Sequence, residues 1–139
     1  MKYKFLEHTA DVMFEAYGKN LNELFTNSAI ALEECMVNIS TLKIKEKYKI
    51  NLSSESAEGL LYDFLSELIF VKDTEGLLFK TFKIKISKNK VYELSAECQG
   101  EIINRKTQEL LDDAKAVTKH LFNIKNEKNK LTAVVIVDI

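Results

Sequence analysis

The last nine residues, Leu-Thr-Ala-Val-Val-Ile-Val-Asp-Ile at positions 131–139, constrain the fold more than any other stretch of this chain. Such an unbroken apolar run reads as a central strand, covered on both faces. It ends in an acid, Asp138, and then in the carboxylate of Ile139. At the other extreme, Glu7-His8-Thr9-Ala10-Asp11-Val12 lies between two alternating runs and carries a carboxylate, Asp11, with no evident local role. If the terminal run lies beside the first strand, Asp11 and Asp138 meet at the sheet edge.

The rest of the chain supplies what such a strand needs around it. Tyr3 and Phe5 share one face of a short strand over 3–7, and after the turn at 9–11 Val12, Phe14 and Ala16 alternate again. Gly18-Lys19 breaks the pattern. Asn20, with Glu23 three residues on, then offers the acceptor that opens a helix. Leu21, Leu24, Phe25, Ala29, Leu32, Cys35 and Met36 follow at helical spacing as one apolar stripe, which needs a broad surface to pack on.

From 42 to 52 the period is two, with Leu42, Ile44, Tyr48, Ile50 and Leu52 on one face and Lys43, Lys45, Lys47, Lys49 and Asn51 on the other. Glu46 interrupts the apolar side. Ser53-Ser54 is expected to cap a second helix, in which Ala57, Leu60, Leu61, Phe64, Leu65, Leu68 and Ile69 recur at i, i+3, i+4 and i+7. Lys72 and Gly76 supply the cation and the glycine that helix ends favour.

Leu78, Phe82, Ile84 and Ile86, a turn at 87–90, and Tyr92, Leu94, Ala96 and Cys98 predict a hairpin with Glu93, Ser95, Glu97 and Gln99 outward. Residues 100–126 are ambivalent. Leu110, Ala114, Val117 and Leu121 have helical spacing, whereas Ala114, Ala116, Thr118 and His120 would serve as one face of a strand. The strand over 115–124 is preferred, because the polar turn at 126–129 then leads straight into the final run. The sum is an α+β fold, a two-layer sandwich with two helices packed on one face of a largely antiparallel sheet. No proline, repeat or low-complexity linker divides it, so residues 1–139 read as a single domain.

Charge and cysteine content narrow the function. With 20 basic against 21 acidic residues and a net charge of −1, the chain has no general attraction to phosphate backbones. Its one arginine, Arg105, leaves bidentate phosphate or guanine recognition poorly equipped. The row of lysines at 43–49 has no interleaved aromatics to stack bases and reads as a solvated face. Cys35 and Cys98 fit no metal or redox spacing and fall on apolar faces, as reduced core residues do. No apolar run reaches the roughly 18 residues of a membrane span, and the N-terminus lacks a long apolar secretion core. The protein is expected to be soluble and intracellular, in the cytoplasm.

The chemistry of the two chain ends points to a cation. Asp11, Asp138 and the α-carboxylate of Ile139 are three oxygen donors with no thiolate and no required imidazole, a set that suits calcium, magnesium or manganese over zinc. Two carboxylates about 4 Å apart repel by roughly 4 kcal/mol at an effective dielectric near 20, so three together need a cation or protons. In the plainer reading, Asp11 caps a turn and Asp138 is a solvated end. His8, Glu67 and Lys115 are further polar candidates: a donor behind the ligands or a structural histidine, a partner-facing or merely solvated acid, and a cation for a phosphate or a partner or an idle surface lysine.

Five pieces in order also carry a resemblance: Glu7-His8-Thr9-Ala10-Asp11-Val12, the helix entry from Gly18 to Phe25, Leu65-Ser66-Glu67-Leu68-Ile69-Phe70 before Asp73-Thr74-Glu75-Gly76, Lys115-Ala116-Val117-Thr118-Lys119-His120, and Val137-Asp138-Ile139 at the end. Together they span essentially the whole chain and resemble the archease family. The pattern departs from that family at Lys119, where an aromatic is usual, near Leu131, where a tryptophan usually precedes the last strand, and after Gly100-Glu101, where a histidine-rich segment is absent. The resemblance implies a strand-helix-strand-strand module and a metal held at the positions of Asp11, Asp138 and Ile139. It also implies an accessory role in tRNA splicing, as a non-enzymatic activator that promotes the guanylylation and multiple turnover of an RtcB-type RNA ligase. A tRNA cytosine-5 methyltransferase is a further implied partner.

The alternative is a small metal-dependent phosphohydrolase or nucleotide-binding enzyme using Asp11, Asp138 and Lys115 directly. Against it stands the lack of a glycine-rich phosphate loop, of a nucleophile with a neighbouring base and of a paired His-Asp metal motif. A sheet fold that binds a small molecule without metal is the third reading.

Overall fold

The computed structural model of the chain describes residues 1–6 and 11–139. Its elements are β1 (Tyr3–Leu6), β2 (Val12–Gly18), α1 (Leu21–Met36), β3 (Glu46–Ser54), α2 (Ala57–Glu75), β4 (Leu77–Lys88), β5 (Tyr92–Ile102), β6 (Ala116–Glu127) and β7 (Lys130–Asp138). Two helices pack on a β layer whose paired strands are all antiparallel, the α+β architecture expected. That layer divides into a four-stranded sheet of order β1-β2-β7-β6 and a three-stranded sheet of order β3-β5-β4. Each helix touches both: α1 packs on β2 and β4, and α2 on β6 and β3. Phe25 of α1 stacks on Phe64 of α2 at 6.2 Å, joining the helix layer into the common core.

The terminal run is the central strand β7, and Val134 to Val137 are all buried. Its neighbour is the second strand of the chain, not the first. The physical reason is length and burial. β2 offers seven residues with Phe14 and Ala16 fully buried, whereas β1 has four and leaves Phe5 about half exposed at the sheet edge. The β6–β7 hairpin turns through Lys128 and Asn129, both at positive φ (51° and 60°), the paired left-handed residues that match the twist of a two-residue turn.

The helix entries follow the sequence with one shift. The Asn20 side chain accepts from the Glu23 N–H at 2.9 Å, as expected. The second cap is Ser56, whose Oγ accepts from the Gly59 N–H at 3.0 Å, and not Ser53-Ser54, because β3 continues through Ser54 in register with Tyr92. Gly76 closes α2 in the left-handed conformation.

Two strand expectations are corrected. The strand over 42–52 begins only at Glu46, after a 3-10 turn at Ile39–Thr41. Side chains hold residues 42–43 instead of a ladder: Lys80 Nζ donates to the Leu42 carbonyl and the Lys43 N–H donates to Glu101. Leu42 is therefore buried while Ile44 is exposed, and Glu46 is a strand start and not an interruption. In β6 the inward residue is Val117, opposite Val137, whereas Ala116 and His120 face solvent. An irregularity between Thr118 and Asn123, with Leu121 at φ 58°, then resets the register.

A second irregularity, between Phe79 and Thr81 of β4, lies against Gly100 of β5, where a Cβ would collide with the Leu78 carbonyl and come within 2.7 Å of the Phe79 Cα. Here the Phe79 N–H donates to Glu33 Oε1 at 3.0 Å. Glu33 is wholly buried in α1, and burial, opposed by that N–H and by Lys72, pushes its carboxyl up to about 8. It is protonated at neutral pH. A carboxyl that holds its proton more tightly folded than unfolded stabilises fully below its ordinary 4.5, and that contribution is lost as pH rises toward about 8. Across this window stability should fall by as much as about 1.4 kcal/mol per pH unit from this group. Glu33→Gln keeps an acceptor for the Phe79 N–H and removes the titration. Urea denaturation across pH 5 to 8 is expected to give a flatter profile for Glu33→Gln than for the wild type, and parallel profiles would contradict the assignment.

Candidate functional site

The pairing of β2 with β7 is in register at Val12 and Val137. Asp11 immediately precedes the first of these and Asp138 immediately follows the second, so the ladder brings both carboxylates to one end of one strand pair. Facing residues in an antiparallel pair set their Cβ atoms about 4.5–5.5 Å apart. Both aspartates are half-buried, and neither has an ion-pair partner among the described residues. Ile139 follows directly, half-buried against the core.

On the far side of β7, Ala116 of β6 pairs with Asp138, and the Lys115 N–H donates to the Asp138 carbonyl at 2.7 Å. The backbone of Asp138 is thus held while its carboxylate is left to other partners. Among the described residues no three His, Cys, Asp or Glu side chains gather as a metal cluster. The set at this strand end contains two such side chains, and its third member would be the main-chain carboxylate of Ile139. Oxygen donors of this kind, without a cationic partner among the described residues, fit a hard divalent ion.

The other expected residues are placed as follows. Lys115 is exposed and lines a cleft of about 240 Å³ between α2 and β6, beside Phe70 and Asp73. It joins the strand end through its backbone. Glu67 is half-buried in α2, without a side-chain hydrogen bond or ion pair to the strand end among the described residues. His8, with the rest of residues 7–10, lies outside the described residues. Lys119 Nζ lies over the Tyr62 ring at 5.2 Å. The lysines at 43, 45, 47 and 49 are exposed; of these Lys49 stands opposite Glu97 and Lys45 pairs with Glu101 at 3.5 Å. Cys35 and Cys98 are buried thiols, which burial pushes up to about 12. No helix among the described residues is long and apolar enough to cross a membrane.

By its place in the sequence Lys72 is an ordinary helix-end cation. Its Nζ in fact donates to Asp113 at 2.5 Å, to the Ala114 carbonyl at 2.8 Å, and pairs with Asp73 at 2.6 Å. Burial works against its charge, but the hydrogen bonds to Asp113 and Asp73 help outweigh it and hold its pKa above the ordinary lysine value. The signal was in the spacing, since Leu61, Leu65, Leu68 and Lys72 lie on one stripe of the helix.

A sequence profile of the archease protein family matches residues 3–139. The chain belongs to the archease family. It is 40% identical to the protein archease of Methanothermobacter thermautotrophicus over 138 residues, covering 99% of this chain and 98% of that protein. The protein archease of Archaeoglobus fulgidus is 34% identical over 140 residues, with 100% of each chain covered. Among solved structures, the solution structure of a Methanobacterium thermoautotrophicum protein matches with a TM-score of 0.89 at 40% identity, covering 99% of both chains. The crystal structure of an archease from Thermotoga maritima matches with a TM-score of 0.66 at 21% identity, covering 98% of this chain and 96% of that one, and shares the fold.

The paired aspartates generate a direct test. Asp11→Ala and Asp138→Ala are each expected to abolish divalent-cation binding in titration calorimetry, with far-UV circular dichroism unchanged, because both lie at strand ends and not in the core. Unchanged affinity in both variants would show that the ion, if bound at all, is held elsewhere.

Proposed function

We propose that the protein is a cytoplasmic accessory factor of tRNA splicing that activates an RtcB-type RNA ligase, promoting its guanylylation and multiple turnover. It has no turnover of its own. The observation that carries this reading is the match to the archease family over residues 3–139. In it, Asp11, Asp138 and the carboxylate of Ile139 hold calcium, magnesium or manganese at the strand end, and the ion, when bound, would offset the repulsion among the three carboxylates. The chain's own contribution is placement: Asp11 and Asp138 flank the facing pair Val12 and Val137 of β2 and β7, and Lys115, the residue before β6, donates its N–H to the Asp138 carbonyl. A tRNA cytosine-5 methyltransferase is a second partner of this reading.

The proposal is tested by following nucleotide attachment to an RtcB-type ligase in the presence of a divalent ion. Adding this protein is expected to raise the guanylylated fraction and the number of joined ends per ligase, while the protein alone consumes no nucleotide. Extending the chain beyond Ile139 exchanges a carboxylate for a neutral amide carbonyl, so that form should bind the ion more weakly and activate less than one extended at Met1. Nucleotide consumption by the protein alone, or a ligase indifferent to it, would overturn the reading.

A further inference from the structure

The peptide unit joining Ala114 to Lys115 is held at both ends. Its oxygen accepts from Lys72 Nζ at 2.8 Å, and its N–H donates to the Asp138 carbonyl at 2.7 Å. A peptide unit is planar, so an orientation imposed on the oxygen is imposed on the N–H as well. The two bonds are also in series, and a charged donor on the oxygen polarises the unit and strengthens what its N–H gives. We propose that Lys72 is a positioning residue for the cation site: through this one peptide it fixes the backbone of Asp138, and with it the direction of the carboxylate and of Ile139. This rests on the reading of Asp11, Asp138 and Ile139 as cation ligands.

The surroundings of Lys72 distinguish this role from that of an ordinary ion pair. Asp73 and Asp113 are largely exposed, and a surface lysine would reach both without entering the protein. Lys72 is buried instead, on the stripe of α2 that continues Leu61, Leu65 and Leu68, and it directs a donor at the carbonyl of Ala114, a residue with no exposure at all. Residues 103–115 contain no strand or helix, only an isolated bridge from Leu110 to Val37, and β6 begins at Ala116. Lys72 therefore pins the last turn of chain before the strand that holds β7. Upstream, the same segment is pinned by Gln108, which donates to Glu101 and to the Ile102 carbonyl with no bond to the strand end.

That second pin makes the test. Lys72→Met keeps the apolar stem and removes the donors, and Gln108→Ala loosens the same segment elsewhere. Calcium titrated calorimetrically into each folded protein is expected to bind Lys72→Met roughly 10- to 100-fold more weakly than wild type, the range seen when groups supporting metal ligands are removed. Gln108→Ala should lower the melting temperature and leave calcium affinity unchanged. Wild-type affinity in Lys72→Met overturns the proposal alone, as does an equal loss in Gln108→Ala, which would mean general loosening. Absence of calcium binding to the wild type would overturn both the cation site and the proposal. Should Lys72→Met not fold, amide exchange in the wild type decides. By linkage calcium must slow exchange of the Lys115 N–H, and an unchanged rate at saturation overturns the proposal.

Discussion

The antiparallel pairing of β2 with β7 is the contact on which the rest of the molecule depends. It joins opposite ends of the sequence, and its register settles two matters at once. With Val12 opposite Val137, the side chains of Phe14, Ala16, Val135 and Val137 all enter the core, where each large apolar side chain contributes about 1.5–3 kcal/mol. A slip of one residue would turn a whole face of β7 over, and would part Asp11 from Asp138 by the same movement. Core burial therefore enforces the placing of the two acids at one end of the strand pair.

Two ionisable groups on apolar helix stripes solve the problem of burial differently. Glu33 has one oxygen on the Phe79 N–H and the other without a partner, so burial keeps it protonated. Lys72 keeps its charge because Asp73, Asp113 and the Ala114 carbonyl surround it. The difference follows from what lies at each end of the side chain: a strand interior for Glu33, and a polar segment at the protein surface for Lys72. Each ties a helix to an irregular stretch of backbone, Glu33 at the β4 irregularity and Lys72 before β6. Regular ladders cannot hold such stretches, and a buried polar side chain can.

Much of this was legible in the sequence because it depends on period. The stripe from Leu21 to Met36, the alternation of β5 and the apolar run of β7 each report burial directly, and all three formed as expected. That Asp11 and Asp138 stand at the same end of one strand pair follows from the run's central character, although its neighbour proved to be β2. What period does not encode is harder to see. The exposure of Ile44 depends on Lys80 and Glu101, which approach from other elements, and the choice of Val117 over Ala116 depends on pairing with Val137. Lys72 and Glu33 stood on apolar stripes and were visible there, but their partners at Ala114 and Phe79 are tertiary facts with no local signature.

A divalent ion held between Asp11 and Asp138 would lie at the end of the β2–β7 pair. Paramagnetic broadening by manganese locates such an ion without any mutation, since it fades the amide signals nearest the metal in a two-dimensional nitrogen–proton spectrum. The amides of Val12, Val137, Asp138 and Lys115 are expected to fade first, at manganese well below one equivalent, with those of Lys83, Lys85 and Glu97 on the other sheet unaffected. Fading centred on the glutamates and lysines of β4 and β5, or spread evenly over the surface, would contradict it.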